Sequence, residues 1–244
     1  MSVAACAALV ETGDPDRFAS AMTAIPTQRA PLFVLYAFNL EVAKAPWVTA
    51  EPMIAEMRLQ WWADALEEIG ESGTVRKHEV VDALCDCLDA KGAKTLMALV
   101  AARRWDIYSD AFEDAAHLDE YIDATSGGLI WTAARLLGAR GEKAARDFGY
   151  GVGVANFLRA IPDLEERGRK PLVDGTSDGV RGLATQALTR CERGAAPKDV
   201  ALAGFRATPT LKRAIADPQR VVQGALELGP MAQGVQLMKA SLLG

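Results

Sequence analysis

The sequence predicts an all-α fold in a single domain. Three observations lead there. Apolar residues recur with helical spacing almost throughout, Val, Ile and Thr form no alternating strand pattern, and glycines and prolines punctuate the chain at helix-length intervals. With 244 residues, half of them apolar, the chain is long enough to bury one substantial core.

The elements follow in order. A short helix is predicted over 16–23, stopped near Pro26. Pro31 suits an early position of the next helix, whose run 32–44 is nearly all apolar and therefore central. Pro46 ends it. In the following helix, 52–69, Glu56, Gln60, Asp64 and Glu68 repeat every four residues as one polar stripe. Met57, Trp61, Trp62, Leu66 and Ile69 lie away from that stripe, and Gly70 and Gly73 mark the stop. Further helices are expected over 77–90, 93–112, 118–137, 142–166, 179–192, 210–216, 218–228 and 231–242, with 174–178 as a surface loop. The last helix is amphipathic and is expected to dock on the body of the protein.

Composition narrows the function. A net charge of −5 with scattered Lys and Arg excludes a nucleic-acid surface, which would show a clustered basic face. Cys6, Cys85, Cys87 and Cys191 have neither zinc-ligand nor disulfide-framework spacing, so reduced thiols are expected. No uninterrupted apolar stretch reaches the roughly 18 residues of a spanning helix. A cytoplasmic location is expected, with membrane contact limited to a peripheral one at the inner face.

Paired aspartates one helical turn apart can hold Mg²⁺ against a diphosphate. The chain has many such pairs, among them Asp82/Asp86, Asp119/Asp123 and Asp174/Asp178. Their abundance makes the spacing uninformative, and they are expected on solvated faces. Asp106, Asp110 and Asp114 are expected to share one exposed face beside Arg103. His78 and His117 sit at helix starts and support no metal site or triad. The run Gly149-Tyr150-Gly151-Val152-Gly153 follows a helical pattern, not a strand, so it predicts close helix packing or a cavity wall instead of dinucleotide binding. Arg58, beside Trp61 and Trp62, is expected either buried in an ion pair with an acid such as Glu41 or engaged with a ligand. Asn156 and Arg159 read as an anion site or as a core hydrogen-bond network.

Three segments carry a resemblance to a known family: RAPLFVLYAFNLEVAK from Arg29, LDEYIDATSGGLIWTAARLLG from Leu118, and GYGVGVANFLRAIPDLEERGRKPL from Gly149. Together they resemble the squalene/phytoene synthases over roughly residues 14–175. The resemblance implies an isoprenoid-synthase-like helical bundle with a central cavity. In that family, two aspartate clusters hold Mg²⁺ against a prenyl diphosphate for head-to-head condensation. Here the aligned cluster positions hold Ala43, Lys44 and Trp47 on one side and Ala160 and Leu164 on the other, with Pro162 expected to break the helix between them. None of these donates an oxygen ligand, so no metal and no cofactor are expected. Tyr36, Asn39, Glu41, Arg58, Asn156, Arg159, Arg167 and Arg169 are then expected to line a vestigial cavity or anion site.

The segments YAFNLEVAK and EPMIAEMRLQWW resemble a branch of the family that also lacks the clusters and includes a respiratory complex I assembly factor. That branch implies a pseudoenzyme whose partners are respiratory complex subunits or an isoprenoid or quinone-like ligand. The alternative is an active prenyl diphosphate transferase using Mg²⁺ on unconventional ligands such as Glu41, Asp163 and Asp106 or Asp110.

Overall fold

The computed structural model describes residues 3–71, 75–108 and 110–243, and among them every regular element is helical. Helix α1 (Val3–Gly13) leads into α2 (Pro15–Thr23), whose cap Asp14 accepts a hydrogen bond from the Arg17 amide. Helix α3 (Pro26–Lys44) starts five residues earlier than Pro31 suggests. Pro26 occupies its first position, where a missing N–H costs nothing. Pro31 removes one internal bond, to the carbonyl of Thr27, and Thr27 is exposed, so water can satisfy it. As its sequence predicts, α3 is buried on most sides, with Leu32 through Asn39 all buried.

Helix α4 (Pro52–Gly70) matches its prediction, although Gly73 lies outside the described residues. The helix expected over 77–90 shortens to α5 (Glu79–Cys85), and α6 (Ala90–Ala102) starts anew at the cap Asp89, which accepts from the Gly92 amide. The helix expected over 93–112 ends at Ala102, and the chain tightens into a 3₁₀ turn over Arg103–Asp106. The prediction over 118–137 splits into α7 (Ala115–Ile122), a π-helical turn over Asp123–Gly127 and α8 (Gly128–Leu136). Helix α9 (Glu142–Glu166) runs unbroken through Pro162, so that proline does not stop it. Then come α10 (Ser177–Arg193), α11 (Lys198–Ala201), α12 (Ala207–Ala216), α13 (Gln219–Val222) and α14 (Pro230–Leu243). The helix expected over 218–228 is therefore a single turn. No helix among the described residues is long and apolar enough to cross a membrane.

Two apolar clusters hold these elements. One joins α1 to α6 and α8 around Leu32, Phe38, Leu59 and Leu99; the other joins α7, α9, α10 and α12 around Ile122, Leu158 and Leu211. Each fully buried Leu or Phe contributes about 1.5–3 kcal/mol. The alternating glycines let α9 approach neighbours on two sides. A Cβ on Gly149 would lie 2.9 Å from the Gly127 Cα, and one on Gly153 would lie 2.6 Å from the Ser126 Cβ; both belong to the π turn. A Cβ on Gly151 would lie 2.4 Å from the Cys191 Cβ on α10. These contacts seat α9 between the π turn and α10, and Gly153 also lines the cavity described next.

Candidate functional site

A cavity of about 350 Å³ opens where the two clusters meet. Its walls follow from helical periodicity. Asn39, Leu40 and Ala43 come from one face of α3, and Trp47 from the turn after it. Gly153, Asn156, Phe157, Ala160 and Leu164 recur along one face of α9. The π turn widens the backbone and brings Thr125 and Ser126 to the wall. Ser126 Oγ donates to the Gly149 carbonyl at 2.7 Å and Thr125 Oγ1 to the Tyr121 carbonyl at 2.7 Å.

The polar wall is a triangle. Arg103 donates to Asp106 at 3.0 Å and to the Tyr121 hydroxyl at 2.9 Å, and that hydroxyl donates to Asp106 at 2.9 Å. Asp106 is buried. Its carboxylate is therefore satisfied by an opposite charge and a neutral donor. Burial pushes the Tyr121 phenol well above its ordinary pKa, Arg103 pulls it back, and Asp106 raises it further. The expectation that Asp106, Asp110 and Asp114 share an exposed face is thus corrected. The 3₁₀ turn directs Asp106 inward, Asp110 is exposed in coil, and Asp114 caps α7 by accepting from the His117 amide.

Trp47 closes another part of the wall. The guanidiniums of Arg167 and Arg169 both lie 4.8 Å from its ring centroid. Gly168 makes this geometry. Its φ of 77° favours glycine, and the Gly168 and Arg169 amides bond back to the Glu165 and Leu164 carbonyls at 2.9 and 3.0 Å. The chain turns back, and Arg169 becomes buried with donors on the carbonyls of Trp105, Asp106 and Tyr108.

The remaining candidate residues divide among three places. Tyr36 is fully buried outside the cavity lining, with Arg17 5.6 Å over its ring; burial pushes its phenol up to about 12. Asn156 and Arg159 reach a polar recess beside the cavity. There Arg159 donates to Glu227 at 2.7 Å and to Asn156 at 3.3 Å, so its charge is already paired. Glu41, Lys44 and Arg58 lie off the cavity, in a separate pocket with Trp61 and Trp62. Arg58 is exposed and forms no ion pair with Glu41, whose partner is Lys44 at 3.8 Å. The buried-pair expectation for Arg58 is corrected: on α4 the polar stripe turns toward Arg76 and Arg104, and Arg58 faces out.

Of the aligned cluster positions, Ala43, Trp47, Ala160 and Leu164 line one cavity and Lys44 does not. Asp106 is the one carboxylate among the lining residues, and it is bound to Arg103 and Tyr121. The unconventional ligands do not gather either. Glu41 faces the separate pocket, Asp163 the polar recess, and Asp110 lies in exposed coil. Among the described residues, no group of three or more His, Cys, Asp or Glu side chains could hold a metal. The residues present do not fit Mg²⁺, which needs converging oxygen ligands. Arg103, Asp106, Tyr121 and Arg17 carry charged or phenolic groups to the wall, and sequence reading missed the inward turn of Asp106 because the helix expected over 93–112 ends at Ala102.

Fold and cavity define an isoprenoid-synthase-like protein. A dehydrosqualene synthase crystallised with ligand superposes with a TM-score of 0.80 at 16% identity, covering 99% of this chain and 95% of that one. The squalene synthase HpnC from Alicyclobacillus acidocaldarius superposes with a TM-score of 0.62, also at 16% identity, covering 99% and 90%. The family description "Squalene/phytoene synthase" matches residues 10–173, and the chain belongs to that family. Among curated relatives, the Drosophila melanogaster NADH dehydrogenase (ubiquinone) complex I, assembly factor 6 homolog is 30% identical over 195 residues, 76% of this chain and 58% of its own. The Homo sapiens assembly factor 6 is 24% identical over 162 residues, 64% and 48% respectively. The chain thus spans about half the length of the curated relatives it matches.

Proposed function

We propose that this protein is a non-catalytic member of the squalene/phytoene synthase family that acts in the assembly of respiratory complex I. The observation that carries the reading is the cavity wall. Of the positions that resemblance assigns to metal-binding aspartates, Ala43, Trp47, Ala160 and Leu164 line this wall and Lys44 lies off it, and the one carboxylate of the lining, Asp106, is tied to Arg103. Ionising a prenyl diphosphate requires concentrated positive charge on the leaving group. This wall offers side chains that suit an apolar occupant instead.

The retained cavity is proposed to hold an isoprenoid or quinone-like tail, with the protein at the cytoplasmic face of the membrane and respiratory complex subunits as partners. The names of the curated relatives support the assembly role. Deleting the gene should lower the amount of assembled complex I on native gels without changing squalene or carotenoid pools, and the wild-type gene should restore it. Unchanged complex I in the deletion strain would remove the assembly reading.

A further inference from the structure

The C-terminal half of α3 is a wall shared by two pockets. Leu40, Ala43 and Trp47 face the central cavity. Glu41 and Lys44, each one residue on and so rotated by about 100°, face a second pocket of about 290 Å³ between α3 and α4, joined there by Val48 from the turn after α3. This second pocket takes in Arg58, Trp61 and Trp62, and nothing in the proposed function uses it.

Its floor is aromatic and braced. Trp61, Trp62 and His78 meet edge to face with centroids 5.0–5.2 Å apart. Phe38 backs Trp62 at 5.4 Å, and Arg76 lies 5.3 Å from the Trp61 ring while bonded to Glu68. These rings need little reordering to receive a ligand, which lowers the cost of binding. The His78 Nδ1 accepts from the Val80 amide at 3.2 Å, which ties the ring to the start of α5.

The rim is cationic. Lys44 and Arg58 both line the pocket, and Glu41, 3.8 Å from the Lys44 ammonium, is its one carboxylate. The net charge is one positive, with Arg58 exposed and no carboxylate within ion-pairing distance of it among the described residues. A singly charged anion balances this rim, whereas Glu41 would repel a dianion. A guanidinium fork matches a planar carboxylate, and the rings below suit a flat apolar body.

We propose that this pocket binds a small carboxylic acid with a flat, unsaturated body, with the carboxylate between Lys44 and Arg58 and the body against Trp61 and Trp62. The proposal is independent of the role in complex I assembly, and its failure would leave that role standing.

The test uses the full chain labelled with ¹⁵N. Its five tryptophans give indole N–H signals assignable by single substitutions. Benzoate is the probe, benzamide its neutral counterpart and phenyl phosphate the dianion. Benzoate should shift the Trp61 and Trp62 signals and leave Trp105 and Trp131 in place. Arg58→Gln should weaken its binding about tenfold or more, with an unmoved Trp131 signal reporting an intact fold, and Lys44→Gln should weaken it less. Benzamide should cause no shift. No benzoate shift at millimolar concentration, equal binding of benzamide, tighter binding of phenyl phosphate, or an Arg58→Gln variant that binds as wild type would each overturn the proposal.

Discussion

Replacing Gly151 by alanine tests the packing that forms the cavity. The new Cβ would lie 2.4 Å from the Cys191 Cβ and 3.0 Å from both the Cys191 Sγ and the Ala187 carbonyl oxygen. Carbon atoms pack best at about 3.5–4.0 Å, so α9 and α10 must separate by more than an ångström along that line. The Cys191 Sγ can rotate, but the closest atom is a Cβ and the Ala187 oxygen is backbone, and neither can swing aside. Overpacking of this kind costs about 1–3 kcal/mol, and the upper half of that range applies here. Alanine returns about 1 kcal/mol of helix propensity. The net loss is about 1–2 kcal/mol, which in a chain of this size lowers Tm by about 2–8 °C. Gly182, within α10, is the matched control. Its Cβ would meet nothing within 4 Å, so Gly182→Ala should gain up to about 1 kcal/mol and raise Tm. Differential scanning calorimetry of both variants decides the matter. If Gly151→Ala raises Tm as Gly182→Ala does, the close-packing argument is wrong.

The buried triangle and an acidic cap give two more expectations. Asp106→Ala leaves the partly buried Arg103 without its carboxylate and should cost about 3 kcal/mol, while Tyr121→Phe should cost about 1–2 kcal/mol. Urea unfolding measures both, and the reverse order would contradict the geometry. Hydrogen bonds from Arg135, then from the Gly92 amide, hold the Asp89 carboxyl down to about 2. A carboxyl lowered on folding contributes stability that is complete above its unfolded value near 4 and is lost as the pH falls through the folded value. The stability difference between wild type and Asp89→Asn should therefore be level from pH 7 to about 5 and shrink between about 4 and 2. A difference already gone by about pH 5 would refute it.

Helix type and order were legible from periodicity because apolar spacing dominates this chain. The buried run of α3 and the polar stripe of α4 are the clearest cases. Boundaries were less so. Pro31 read as an early helix position and Pro162 as a break, yet α3 begins at Pro26 and α9 runs through Pro162, since one missing backbone bond is outweighed by a buried helix on either side. Asp89 and Asp114 were legible as cap residue types, and weighing them as N-caps would have started helices at 90 and 115. No such residue marks the end of α6 at Ala102, and that missed end hid the polar cavity wall. With a helix drawn over 93–112, Asp106 falls on a solvated stripe, whereas the 3₁₀ turn sends it to Arg103 and Tyr121. The π turn leaves no periodic signature, so the inward placement of Thr125 and Ser126 was not legible at all. Family resemblance located Ala43, Trp47, Ala160 and Leu164, and the helical phase of α3 separated Lys44 from them.

Among the described residues no metal-ligand set converges on the cavity, and the proposal of a non-catalytic protein is tested most directly by turnover. Purified protein incubated with farnesyl or geranylgeranyl diphosphate should release no diphosphate above the protein-free control, with or without Mg²⁺. Diphosphate release that requires both the protein and Mg²⁺ would contradict the proposal that this cavity is non-catalytic.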